Sequence, residues 1–241
     1  MIRTLKVLSL LLSYPATDIT KAAPGFADII DDESLVPAAE RKALKRLISE
    51  LAKNDVYDSQ ERYVLLFDRS RTLSLNLFEH VHGESRDRGQ AMVDLKEVYA
   101  THGLELDATE LPDHLPLFLE FLSTLPFNEA QEMLGDVVHI TSALKERLRK
   151  RKSSYASVFW AIESLTKAKP DKAVLESMLA EPDVDPNDFE AMDKLWEEEQ
   201  VTFGPGPNAA AACGPDRLAA QLRAGMRPAP APGSNLGGNN G

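Results

Sequence analysis

The chain has 241 residues, 43% of them hydrophobic, which is enough to bury a core and fits one globular domain or a domain with a tail. Lysine and arginine total 27 against 38 acidic residues, and the net charge of -11 disfavours nonspecific binding to nucleic acid or anionic membranes and favours a basic partner. The single cysteine, Cys213, excludes an internal disulfide framework and any multi-cysteine zinc or iron-sulfur site built from this chain alone, so a reducing cytoplasm is the expected setting.

The opening MIRTLKVLSLLLSYP resembles a secretory signal, but its apolar run from Val7 to Leu12 is short and no small-x-small cleavage site follows, so it predicts an amphipathic first helix over 2–14. Apolar residues then recur at helical spacing, as in Leu44, Leu47, Ile48 and Leu51, and prolines punctuate the segments. The pattern predicts further helices over 18–30, 38–53, 58–82, 87–102, 113–124, 128–151, 154–168, 171–180 and 187–200. No strand alternation, fixed-period repeat or apolar stretch of roughly 20 residues appears, so no stable membrane insertion is expected. The expected fold is all-α, a single domain of about 8–10 helices over residues 1–203. After Phe203 the composition turns to Gly, Pro, Ala and Asn, too poor in apolar surface to offset ordering entropy, so 204–241 is expected to be a disordered tail. Within it, Pro215–Met226 can form only a transient helix.

Two polar clusters stand out. In NLFEHVHGESRDRGQAM (76–92), His80 and His82 lie two positions apart, which on a helix points them about 200° apart and argues for a helix end closed by Gly83 over a metal pair. Leu73, Leu77 and His80 share a stripe near Phe67 on the predicted helix. Asp87 followed by Gln90 reads as a capping box, and Arg86 and Arg88 either pair locally on a charged corner or point at a carboxylate or peptide backbone. In ELPDHLPLFLEFL (110–122), Pro112 suits a helix start with Asp113 and His114 in its first turn, ahead of an apolar face of Leu117, Phe118, Phe121 and Leu122. An Asp-His pair can serve acid/base work, yet no nucleophile motif and no Gly-rich phosphate loop accompanies it. Three readings stay open: capping and packing, a metal or cofactor site using His80, His82, Glu84, Asp113 and His114, or the rim of a groove.

Taken together, LFEHVHGESRDRGQAMVDL (77–95) and ELPDHLPLFLEFLS (110–123) closely resemble the NarJ-type assembly chaperones of respiratory nitrate reductase. These belong to the wider redox-enzyme maturation family that includes TorD and DmsD, and the resemblance spans roughly residues 1–200, including Tyr63 to Asp68. It implies a non-enzymatic cytoplasmic protein with no permanently bound cofactor. Such a protein binds the N-terminal peptide of the nitrate reductase catalytic (alpha) subunit. It holds the immature enzyme while the molybdenum cofactor and an iron-sulfur cluster are inserted, before membrane attachment. Proteins of molybdenum cofactor biosynthesis are implied as further partners. Pro112-Asp113-His114 matches the family's Pro-Asp-His motif beside the peptide groove, and His80, Glu84, Arg86 and Arg88 match its histidine and arginine corner. Helical periodicity adds Phe67, Leu77, Phe78, Leu117 and Phe121 as candidate groove positions. Titration of rim histidines would make client affinity sensitive to pH.

Overall fold

A computed structural model describes residues 1–82, 86–106 and 110–180. The predicted helix 187–200 and the predicted tail lie outside them. Among the described residues the fold is all-helical: α1 (Arg3–Leu12), α2 (Thr17–Glu33), α3 (Ala38–Lys53), α4 (Val56–Tyr63), α5 (Glu79–His82), α6 (Arg86–Thr101), α7 (Leu115–Thr124), α8 (Phe127–Asp136), α9 (Val138–Lys150), α10 (Ala156–Leu165) and α11 (Lys172–Ala180).

α1 is buried around most of its circumference, not on one stripe: Leu5, Val7, Leu8, Leu11 and Leu12 are all in the core, and Thr4 and Ser9 are buried with them. It packs against α7, α2 and α10. The apolar run that looks like a secretory signal is therefore a central helix, which must be apolar on several faces to fill the space between neighbours. α7 is its antiparallel partner, since the Ile2 N–H donates to the Ser123 carbonyl and the Ser9 hydroxyl donates to the Pro116 carbonyl at 2.7 Å. Ser9 lets the two backbones approach closely while its own hydroxyl stays satisfied. In α2, Pro24 sits inside the helix on its exposed side, where water can satisfy the carbonyl left without a donor.

Two sequence expectations change. The predicted helix 128–151 is divided at Val137, whose backbone (φ -102°, ψ 8°) leaves the helical region. The chain after α10 folds back onto the end of α8, where Gln131 donates to the Leu165 carbonyl at 2.8 Å and Thr166 donates to the Gln131 carbonyl. A Cβ at Gly135 would meet Ala168 Cβ at 3.1 Å and Thr166 Oγ1 at 3.2 Å, so a larger residue there requires the segment after α10 to give by a few tenths of an ångström.

The larger change concerns 58–82. The chain is α-helical only to Tyr63, then widens into a π-turn over Val64–Asp68, closed by the Arg69 N–H on the Val64 carbonyl. A 3-10 turn follows at Arg71–Leu73, and residues 74–76 run extended into a turn at 77–78 before α5. Leu73, Leu77 and His80 do not share a helical stripe. The reason is that the extended piece bonds to a distant segment: the Leu77 N–H donates to the Asp113 carbonyl, the Leu115 N–H donates to the Leu75 carbonyl, and Asn76 pairs with His114 in an isolated antiparallel bridge. Backbone donors satisfied across the fold have no need of a helix.

Candidate functional site

The Pro-Asp-His segment is one side of this bridge. Asp113 is fully buried, and its Oδ2 accepts the Phe78 N–H at 2.9 Å. It thus caps the turn leading into α5 from a position remote in sequence, where a local Ser or Asp would ordinarily serve. Burial raises the Asp113 carboxyl above its ordinary range, opposed by the Phe78 N–H and by the nearby Arg88 guanidinium. Arg88 itself donates to Glu79 at 3.0 Å, tying the start of α6 to α5. Burial pushes the Glu79 carboxyl up, but hydrogen bonds from Ser74, Asn76 and Arg88 outweigh it and hold the group below its usual range. His80 Nε2 donates to the Ser74 carbonyl at 2.8 Å, and Tyr99 on α6 donates to the Pro112 carbonyl at 2.7 Å. Residues 74–80 and the first turn of α6 are thereby fastened to the start of α7 by groups from both sequence clusters.

Next to it lies a cleft of about 510 Å³ between the end of α1, the π-turn and the first turn of α7. Its apolar surface comes from Tyr14, Tyr63 and Leu117, and its acidic groups are Asp68, Glu110 and Glu120. The two tyrosines meet edge to face, with centroids 5.8 Å apart, and Tyr63 donates its hydroxyl to the Leu12 carbonyl. His114 faces the same cleft, half-buried, with Nδ1 3.7 Å from Glu110. Burial lowers its pKa, against the opposing pull of Glu110, Asp113 and Asp68, so the ring is neutral at pH 7. Burial also raises the Asp68 carboxyl, which His114 offsets and Glu110 reinforces. Such a cleft suits an apolar side chain flanked by a cation.

The candidate residues fall into three groups. Phe78, His80, Arg88 and Asp113 form the bridge, and His114 and Leu117 line the cleft. Phe67, Leu77 and Phe121 are core side chains: Phe67 stacks against Tyr63 and Tyr155, and Phe121 against Tyr99 and His102. Glu84 and the side chains of His82 and Arg86 lie outside the described residues. Among the described residues no group of three His, Cys, Asp or Glu side chains is arranged to hold a metal ion. Sequence reasoning missed Tyr14, Tyr63, Asp68 and Glu120 as cleft residues; the aromatic-acidic run Tyr63 to Asp68 carried the signal, hidden by its assignment to an ordinary helix.

A family model described as nitrate reductase delta subunit matches residues 33–161, just over half of the chain. The chain belongs to that family, the one that contains the NarJ-type assembly chaperones. Within the delta-subunit match lie the whole bridge and the π-turn, whereas the α1 wall of the cleft precedes it. The nitrate reductase molybdenum cofactor assembly chaperone NarJ of Escherichia coli K12 is 43% identical over 199 residues, covering 83% of this chain and 84% of that protein. NarW of the same organism is 39% identical over 199 residues, covering 83% of each chain. A crystal structure from Archaeoglobus fulgidus, of a protein assigned to the redox enzyme maturation class, superposes with a TM-score of 0.50 over 67% of this chain and 91% of its own at 24% identity, which supports the fold. These relatives are chaperones rather than enzymes, and no helix among the described residues is long and apolar enough to cross a membrane.

Proposed function

We propose that this chain is a cytoplasmic chaperone that binds the N-terminal peptide of a nitrate reductase catalytic subunit and holds the immature enzyme while its molybdenum cofactor and an iron-sulfur cluster are inserted. The role in assembly is supported by the E. coli relative. Peptide capture is supported by one observation: the cleft presents Tyr14, Tyr63 and Leu117 within a rim of Asp68, Glu110 and Glu120. An amphipathic peptide seats an apolar anchor on the aromatic floor and turns lysines or arginines toward the carboxylates. The chain's net charge of -11 speeds encounter with such a peptide, an effect that added salt weakens. Proteins that make the molybdenum cofactor follow as further partners of the complex.

In this reading Asp113 and Arg88 shape the cleft wall without touching the peptide, and His114 sets a pH dependence. Its depressed pKa puts protonation below the ordinary histidine range, where a new cation would repel a basic client. Calorimetry with a synthetic peptide from the catalytic subunit's N-terminus tests the proposal. Leu117→Asp and Asp68→Lys are expected to weaken binding by about tenfold or more each, with the thermal midpoint unchanged. Wild-type affinity in both variants would remove the cleft from the binding surface.

A further inference from the structure

A second and larger cleft, of about 950 Å³, lies between α3, α4, α9 and α10 and shares no lining residue with the acidic one. The π-turn separates them, giving Leu66 to this cleft and Asp68 to the other. Six cations line it, Arg46, Arg62, Lys145, Arg149, Arg151 and Lys152, against the carboxylates of Glu50 and Glu146. On a chain with a net charge of -11 this is a local inversion of sign. Arg62 meets Glu50 at 3.0 Å, Arg149 meets Glu146 at 2.7 Å, Lys145 meets Glu163 and Arg151 donates to the Ser70 hydroxyl at 3.2 Å, so the lining sets six cations against two carboxylates. The Trp160 ring lies 42% exposed on the wall, so the cleft offers apolar area as well.

The backbone at Lys152 points the same way. It has φ 53° and sits just past α9, in a closing motif where its own N–H donates to the Arg149 carbonyl and the Ser153 N–H donates to the Leu148 carbonyl. Glycine takes this left-handed position at the least cost, yet the chain places a lysine there, on the cleft wall.

The sequence that follows α11 is the chemical complement. Residues 181–199 read EPDVDPNDFEAMDKLWEEE, with nine carboxylates and one lysine. Phe189, Met192 and Trp196 fall at i, i+3 and i+7, a stripe that on a helix needs an apolar partner. The exit point is suitable. α11 runs parallel to α9, because the Asp171 N–H donates to His139 while the Met178 carbonyl accepts from Arg147. By that register Ala180 ends level along α9 with Arg149, which lines the cleft, while α11 itself packs on the Arg147 side of α9. A tethered segment beginning there meets the cleft at an effective concentration far above that of any free anion.

We propose that the acidic segment 181–199 docks into the basic cleft of its own chain, covering Trp160 and masking the cations from anionic partners. The docking is electrostatic and local, so it is expected to be independent of protein concentration and sensitive to salt. The test uses the full chain and zero-length carbodiimide coupling, which joins a lysine amine to a carboxylate in contact with it, read by peptide mass spectrometry. Cross-links from Lys152 or Lys145 to the carboxylates of 181–199 are expected, intramolecular in a mixture of isotope-labelled and unlabelled protein, and lost at ~0.5 M salt. Reversing charge at Glu197, Glu198 and Glu199 to Lys should cut their yield about fivefold or more, as should Arg149→Glu with Arg46→Glu, which leaves both reactive lysines in place. Combining both sets should restore contact, read as recovered protection of Trp160 from oxidative footprinting. The proposal is overturned if these links are absent, join different molecules, survive high salt undiminished, or leave Trp160 equally reactive in all variants. Client-peptide affinity is a separate readout at the acidic cleft, so either proposal can fail alone.

Discussion

The Asp113 carboxylate accepts the backbone N–H of Phe78 across 35 residues of sequence, from a fully buried position. This contact is one of several that join the two polar clusters of the sequence, and it caps the turn at 77–78 between the extended piece 74–76 and α5. Removing the acceptor leaves a buried donor unmet, so Asp113→Ala is expected to cost about 1–3 kcal/mol in urea denaturation. Asp113→Asn keeps an acceptor oxygen and removes the charge. Because the folded carboxyl is raised by burial, its contribution is fully present below the ordinary aspartate pKa of about 3.9 and is lost as pH rises through the folded value. The stability of the Asn variant relative to wild type should therefore improve between pH 4 and 7. A constant difference across that range would show that the carboxylate bears no burial cost.

Tyr63 couples the acidic cleft to α1. Its hydroxyl donates to Leu12, one of the last carbonyls of α1, at 2.8 Å in a buried setting, and burial raises its pKa so that it remains a donor. Tyr63→Phe should lower stability by about 1–2 kcal/mol while keeping the ring stack with Phe67 and Tyr155. Chemical denaturation followed by far-UV circular dichroism measures it, and an unchanged midpoint would mean that water replaces the tyrosine.

His102 fastens the end of α6 to α8. Its Nδ1 lies 2.8 Å from the Val98 carbonyl and its Nε2 3.0 Å from Glu129, so both nitrogens donate only in the protonated ring. The Val98 carbonyl raises its pKa most, burial opposes this, and Glu129 adds to the rise. A raised pKa means that the stabilisation is present below the ordinary value of about 6.5 and is lost as pH rises through the folded one. The thermal midpoint of wild type should fall more than that of His102→Gln between pH 6 and 8.5. Parallel profiles would show the contact to be neutral.

Lys152 holds a left-handed backbone at the end of α9. Lys152→Gly should raise stability by about 1 kcal/mol in thermal denaturation, since glycine meets no Cβ penalty there. Loss of stability instead would mean that the lysine side chain holds the turn through its packing in the cleft wall.

The spacing of Leu44, Leu47, Ile48 and Leu51, and of Ile140, Leu144 and Leu148, was enough to read an all-helical domain, because amphipathic periodicity is local and each helix satisfies its own backbone. The same reasoning misread 58–82, since a helical stripe through Leu73, Leu77 and His80 is equally consistent with an extended piece whose donors find Asp113 and whose acceptors find Leu115.

What the sequence determined by itself was the fold class, the charge and the two motifs that mark the family, all properties of residue type and short spacing. Only the tertiary structure decided that Asp113 is a buried cap instead of a rim group, that Tyr14, Asp68 and Leu117 face one acidic cleft, and that six cations from α3, α4, α9 and the turn after it line another. Those outcomes depend on which distant segments share a hydrogen bond or a wall, and no periodicity along the chain encodes that.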